Sequence, residues 1–284
     1  MIIWIASYPK SGNTWIRSLL CAYLFSPDGK FNFNLLKNIQ QFSSKNLKNN
    51  YTNNNYKQKI IENWLPSQRI INKDKKIHLF KTHNALCTIN KNKFTDEFNT
   101  KAVIYIVRDP RNLITSLSNH YSFSIKEAFD FMTNKKKIIF PENFKDIEKN
   151  KNMPLDFNFL GDWSDHYQSW KNISFCPIKI IRYEDIILNT SKVFHSVLEF
   201  LSQFMNLKIE KDKIEQSIHS TSFKKLSQME DEQGFPETPI QNKEKKVRFF
   251  NLGEENDWKQ MLDIKIAKKI DTVFKNEMNE LNYL

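Results

Sequence analysis

Ser7-Tyr8-Pro9-Lys10-Ser11-Gly12-Asn13-Thr14-Trp15 decides the fold. Ile2-Ile3-Trp4-Ile5-Ala6 precedes it, and Ile16-Arg17-Ser18-Leu19-Leu20-Cys21-Ala22-Tyr23-Leu24-Phe25 follows. The first run is too short for a helix and spells a buried strand, while the second repeats apolar residues at helical spacing. The order is therefore strand, tight loop, helix. Lys, Ser, Gly, Asn and Thr gather at the junction. The first turn of a helix has unpaired N–H groups and the positive end of the dipole, so this junction suits an anion. Gly12 lets the backbone approach a phosphate closely, and Lys10 adds a full charge. The plain alternative is an ordinary helix start capped by Ser or Asn. The stretch is not a Walker A loop, which reads Gly-x-x-x-x-Gly-Lys-Ser/Thr. Here the Lys comes before the Gly, and Asn13 stands where the Walker Lys would.

Three more apolar runs extend the pattern. Ile77-His78-Leu79-Phe80 leads to Lys81-Thr82-His83, at the strand end where open α/β sheets bind ligands. Ala102-Val103-Ile104-Tyr105-Ile106-Val107 is a continuous run suited to the middle of a parallel sheet. Arg108-Asp109-Pro110-Arg111-Asn112 ends it, and Pro110 can open the helix through Leu113 and Leu117, because its missing N–H would be unpaired anyway. A fourth strand runs from Ile178 to Tyr183-Glu184-Asp185. Helices are expected over residues 156–172, 186–204 and 259–281. Strands alternating with helices give an α/β class. No linker separates independent cores, so the chain reads as one domain over residues 1–284, with pocket-covering insertions near 26–76 and 122–155.

The loop resembles the 5′-phosphosulfate loop of the sulfotransferases that use PAPS (3′-phosphoadenosine 5′-phosphosulfate). That loop reads roughly Tyr-Pro-Lys-Ser-Gly-Thr-Thr-Trp, and Asn13 is the one change. The likeness runs in family order from Tyr8 to Lys259. Lys81-Thr82-His83 resembles the segment with the catalytic His, although Asn84-Ala85 stands where the family often has Leu-Pro. Arg108 and Ser116 match its 3′-phosphate pattern, a guanidinium fork plus a hydroxyl. Asp109-Pro110-Arg111, and Gly161, Trp163 and His166, resemble bacterial members, with His166 a secondary candidate for acceptor contact. Tyr183 matches the Tyr beside the adenine, and Thr221-Ser222-Phe223 the segment at adenine and ribose. Residues 247–259 resemble the C-terminal loop Arg-Lys-Gly-x-x-Gly-Asp-Trp-Lys. Asn251-Leu252 replaces its phosphate-gripping Arg-Lys pair, and Arg248 is the conjectured substitute.

The resemblance implies a P-loop-like three-layer fold, with a central, mostly parallel sheet flanked by helices. It implies sulfuryl transfer from PAPS to a hydroxyl or amine, with PAP (the desulfated nucleotide) as product and no metal. Lys10, Ser11, Gly12, Asn13, Thr14 and Trp15 would hold the phosphosulfate end, and Arg108 and Ser116 the 3′-phosphate. Tyr183, Thr221, Ser222, Phe223, Arg248, Phe249, Phe250, Asn251 and Gly253 would complete the cofactor site. His83 would be the general base, with Lys81 adding charge. The acceptor is open, a small molecule being favoured. The family's dimer motif is absent in its usual register, where Asp263-Ile264 replaces Thr-Val, so oligomeric state is open too.

The 284 residues are 40% hydrophobic and 13% aromatic, enough for a sizeable core, with a formal net charge of +11. A basic nucleic-acid-binding protein is one reading of that charge. Lys scattered through Asn-rich stretches, including Lys135-Lys136-Lys137, reads better as solvated faces. A nucleoside kinase or NTPase would need the missing Walker Lys. A degenerate PAP- or PAPS-binding relative is the third alternative, because of Asn251-Leu252. Cys21, Cys87 and Cys176 are far apart and odd in number, and read as reduced core residues rather than a disulfide or metal framework. No apolar run has transmembrane length and no signal peptide is visible. Neither a nucleic-acid nor a membrane partner is expected, and a cytoplasmic location is the default.

Overall fold

The computed structural model describes residues 1–43, 56–140, 156–238 and 247–284. Parts of both expected insertions, residues 44–55 and 141–155, lie outside them. Strands run at β1 (Ile2–Ser7), β2 (His78–Thr82), β3 (Thr88–Ile89), β4 (Asn92–Lys93), β5 (Thr100–Val107), β6 (Ile138–Ile139), β7 (Asn158–Phe159) and β8 (Ile178–Arg182). Helices in the first half are α1 (Asn13–Phe25), α2 (Tyr56–Glu62), α3 (Trp64–Ile71), α4 (Pro110–Tyr121), α5 (Ile125–Thr133) and α6 (Trp163–Lys171). The second half adds α7 (Tyr183–Leu188), α8 (Thr190–Ser202), α9 (Lys211–Ser220), α10 (Phe223–Gln233), α11 (Trp258–Met261), α12 (Ile264–Val273) and α13 (Lys275–Glu280). The main sheet has the order β2-β1-β5-β8. It is a central parallel sheet flanked by helices, the expected α/β class.

Two compact units divide the chain. One holds Met1–Tyr8, Gln40–Tyr105 and Asn134–Ile180, and the other Pro9–Ile39, Ile106–Thr133 and Ile181–Leu284. In the first, β1 pairs parallel with β2, Ile2 opposite His78 and Ala6 opposite Thr82. β1 is fully buried, as its unbroken apolar run requires. Trp4 packs edge-on to Phe42 and also meets Phe80 and Phe94, while its indole N–H donates to Thr100 Oγ1 at 2.9 Å. In the second unit, Arg111 is the polar centre. Its guanidinium binds Asp109, Asp271 and the Tyr283 carbonyl, and stacks 4.2 Å from the Trp258 ring centroid. Glu184 accepts from the Asp109 N–H at 3.0 Å and the Tyr283 hydroxyl at 2.8 Å. The loop carrying Arg108 is thus fastened to the chain's last residues.

Four boundaries differ from the sequence expectation, each for a local reason. Residues 156–172 are not one helix. β7 pairs antiparallel with β6, Gly161 turns at φ +66°, and only then does Asp162 cap α6 by accepting from the Asp165 N–H at 2.6 Å. Tyr183 opens a helix rather than ending a strand, so Glu184 and Asp185 fall in a first turn, where acids suit the dipole. Asn189 splits residues 186–204 by capping α8 through the Lys192 N–H. Asp263 similarly breaks residues 259–281, capping α12 through the Lys265 N–H.

All three cysteines are free thiols. Burial pushes Cys21 and Cys87 up to about 12. Among the described residues no helix is long and apolar enough to cross a membrane. Because α6 starts on one side-chain cap, Asp162→Ala should cost about 1 kcal/mol of unfolding free energy. Urea titration measures this, and an unchanged midpoint would mean that the Asp165 N–H has another acceptor.

Candidate functional site

The loop after β1 is shaped by backbone conformation before any side chain acts. Lys10 and Gly12 both take positive φ, 65° and 99°. Gly12 sits at the N-cap of α1, which has no side-chain cap and no acid in its first turn. The plain alternative of a Ser- or Asn-capped helix is therefore not what forms. Two requirements select glycine here. The left-handed φ is one, and the other is Tyr183, whose Cδ2 would lie 2.5 Å from a Cβ at this position.

Tyr183 gathers the rest. The Arg108 guanidinium lies 4.2 Å from its ring centroid, and the Trp15 ring meets it at 5.9 Å. Arg108 Nη1 also donates to the Lys10 carbonyl at 3.1 Å. Among the described residues, Ser11 Oγ, Trp15 Nε1 and Arg108 Nε are buried with no hydrogen-bond partner. Leaving a buried polar group unpaired costs roughly 1–3 kcal/mol, and such groups are rare. Three of them around one uncapped helix start, beside Lys10, fit an anionic ligand that would accept from the serine hydroxyl and the guanidinium. This donor set suits the phosphates of a PAPS molecule.

The later cofactor candidates fall around α10. Thr221 is spent locally, its hydroxyl donating to the Ser217 carbonyl at 2.7 Å. Ser222 is the N-cap of α10 and Phe223 its first residue. A Cβ on Gly253 would strike the Phe223 ring at 2.6 Å, so the C-terminal loop needs glycine to lie against it. Phe250 packs edge-on to Phe223, and Lys10 Nζ sits 3.7 Å over the Phe249 ring centroid. Ser116 is half-buried on α4 and Asn251 is exposed. Arg248 is engaged elsewhere. Its Nη2 donates to Asp231 at 2.6 Å and Ser227 at 2.8 Å, while its carbonyl accepts from Asn119 at 3.3 Å.

Two acids escaped the sequence reading. Glu237 accepts from Arg17 Nη1 at 2.6 Å and from the Thr14 hydroxyl at 3.2 Å. Glu230 binds the backbone N–H groups of Phe249 and Phe250. Both lie in polar stretches that spell only solvated surface, and no sequence signal marks them.

His83 belongs to the other unit. His83 Nδ1 lies 2.8 Å from the Ser7 carbonyl. A carbonyl only accepts, so Nδ1 carries the proton and Nε2 of the neutral ring keeps its lone pair. Lys81 is buried in β2, paired with Ile5. His166 is fully buried and engaged at both nitrogens, which removes it as an acceptor contact. Its Nε2–H donates to the His83 carbonyl at 3.1 Å, and its Nδ1 accepts from the Tyr105 hydroxyl at 2.8 Å. The role left to it is to hold the backbone of His83.

The family model described as sulfotransferase domain matches residues 2–282. Sulfotransferase 1B1 of Canis lupus familiaris is 25% identical over 284 residues, covering 97% of this chain and 82% of the relative. The 3-beta-hydroxysteroid sulfotransferase of Cavia porcellus is 21% identical, covering 96% and 82%. Among solved structures, mouse sulfotransferase SULT7A1 complexed with PAP superposes with a TM-score of 0.59 at 18% identity, covering 97% of this chain and 83% of that one. Retinol dehydratase complexed with androsterone and PAP gives 0.58 at 15%, covering 98% and 80%. The α/β fold is that of the P-loop-like transferases. Within that class the chain belongs to the sulfotransferase family, and it is a PAPS-dependent sulfotransferase.

Burial pushes His166 down to about 4 from its ordinary 6.5. The folded state keeps it neutral, so its stabilisation is full above pH 6.5 and lost as pH falls toward 4, because the unfolded chain binds the proton first. The loss should approach roughly 3 kcal/mol. Urea titrations at pH 7, 5.5 and 4 should show this fall in wild type and a shallower one in His166→Gln. Parallel curves would contradict it.

Proposed function

We propose that this sulfotransferase carries the sulfuryl group of PAPS to a hydroxyl or amine of a small-molecule acceptor, with His83 as the general base. The observation that carries the cofactor assignment is the pair of buried, unpartnered donors, Ser11 Oγ and Arg108 Nε, at the uncapped start of α1. PAPS supplies the sulfuryl group on a good phosphate leaving group. Lys10 and the backbone N–H groups of residues 11–14 hold the phosphosulfate end. They stabilise the charge that grows on the phosphate as its bond to sulfur breaks, so positioning and electrostatics do most of the catalysis. Arg108 and Ser116 take the 3′-phosphate, the group that separates this nucleotide from ADP. Trp15, Tyr183 and Phe223 serve the adenosine. His83 Nε2 accepts the proton that the acceptor loses as it bonds to sulfur, a role supported by the Nδ1–H bond to Ser7. Lys81 adds positive charge.

The acceptor class rests on relatives named for steroids and amines, among them the amine sulfotransferase of Oryctolagus cuniculus, 22% identical. We read residues 1–284 as one sulfotransferase domain, supported by the match over 2–282, and a cytoplasmic location as supported by the free thiols. The kinase reading lacks its Walker Lys. The degenerate reading keeps one specific support, the loss of two cations at Asn251-Leu252, since Arg248 pairs with Asp231.

Calorimetry with PAP, with ADP as control, tests the assignment. Tight PAP and weak ADP binding are expected, and Arg108→Ala should weaken PAP by about 10- to 100-fold, the worth of a hydrogen bond to a charged group. Equal affinity for the two nucleotides would overturn the 3′-phosphate assignment, and binding of neither would favour the degenerate site. His83→Gln should bind PAP as wild type does yet lose at least about 100-fold in labelled-sulfate transfer to a panel of phenols, alcohols and amines. Retained turnover would remove His83 as the base.

A further inference from the structure

We propose that Glu230 is a positioning residue for Lys10, acting through the backbone of Phe249. The inference rests on the assignment of Lys10 to the phosphosulfate loop. Lys10 has a compact charge on a flexible stem, which by itself points nowhere in particular. Here its Nζ is parked 3.7 Å over the Phe249 ring centroid, well within cation–π range. Phe249 lies in neither helix nor strand, so no backbone ladder fixes it.

Glu230 fixes it instead. The residue is on the last turn of α10 and 4% exposed. One carboxylate oxygen accepts from the Phe249 N–H at 2.7 Å, and the other from the Phe250 N–H at 2.9 Å. The first also takes the Thr238 hydroxyl at 3.1 Å. A carboxylate only accepts, and charge-assisted bonds to two successive N–H groups lock the dihedral between them. The Phe249 ring is then wedged against Phe235 at 4.6 Å and His120 at 5.8 Å. The same helix presents Phe223 at its first turn against Gly253. One rigid element therefore sets both the aromatic wall of the loop and, through the carboxylate, the ring that holds the catalytic ammonium. Lys10 held in this way loses less side-chain freedom when a phosphate recruits it.

The test uses the full chain and reads Lys10 directly. Reductive methylation with isotopic formaldehyde, followed by peptide mass spectrometry, gives a rate for each lysine. In Glu230→Gln one backbone N–H faces an amide donor, so the segment loosens. Lys10 should then react about two- to fivefold faster, the worth of an exposed cation–π contact, while other lysines keep their rates. Phe249→Leu, which leaves the carboxylate in place, should give the same rise, and the double variant no more than either. PAP affinity should fall by a similar factor in Glu230→Gln, but not when Lys10→Ala is already present. An unchanged Lys10 rate in both single variants overturns the proposal. So does a rise shared by many lysines with a lowered Tm, the mark of a merely structural acid. If wild type binds no PAP but the labelling pattern holds, the cofactor reading falls and the positioning role stands.

Discussion

The contact between Tyr183 and Gly12 is the constraint on which the loop after β1 depends. The ring leaves no room for a Cβ and the backbone takes a left-handed φ of 99°, and each by itself requires glycine. α1 starts at that turn with no side-chain cap. The opposite demand on Tyr183, a cation against its ring, is met by Arg108, which reaches back to the Lys10 carbonyl. Helix start, ring and guanidinium therefore form one unit of packing, within which Ser11 Oγ and Arg108 Nε are buried with no hydrogen-bond partner.

In a chain with a net charge of +11, three glutamates, one buried and two half-buried, do much of the fastening. Glu184 ties the Arg108 loop to Tyr283, and burial raises its carboxyl above the ordinary range. Glu230 holds two successive N–H groups of the C-terminal loop, and Glu237 joins Arg17 to Thr14. A carboxylate can satisfy several donors at once, which makes it an economical fastener for loops that lack a ladder of their own.

The two histidines divide their work by burial. His83 donates its Nδ1–H to the Ser7 carbonyl, whereas His166 is sealed off, with both nitrogens engaged in holding Tyr105 and the His83 backbone. Desolvation keeps the buried His166 ring neutral, which suits it to a purely structural place.

By itself the sequence determined the α/β class, the strand–loop–helix order around Gly12, the strand ends carrying His83 and Arg108, and the family. These are local: an apolar run, a Gly before a helix and a charged residue at a strand end are legible from neighbours in the chain. Several boundaries were not, because Asp162, Asn189 and Asp263 act as caps only once the chain turns there. The tertiary structure alone decided that Arg248 pairs with Asp231, that His166 is a core residue, and that Glu230 and Glu237 fasten the loops. Each of these depends on partners far away in the chain or on burial. A glutamate in a polar stretch has no periodicity or spacing to announce which distant N–H groups will meet it.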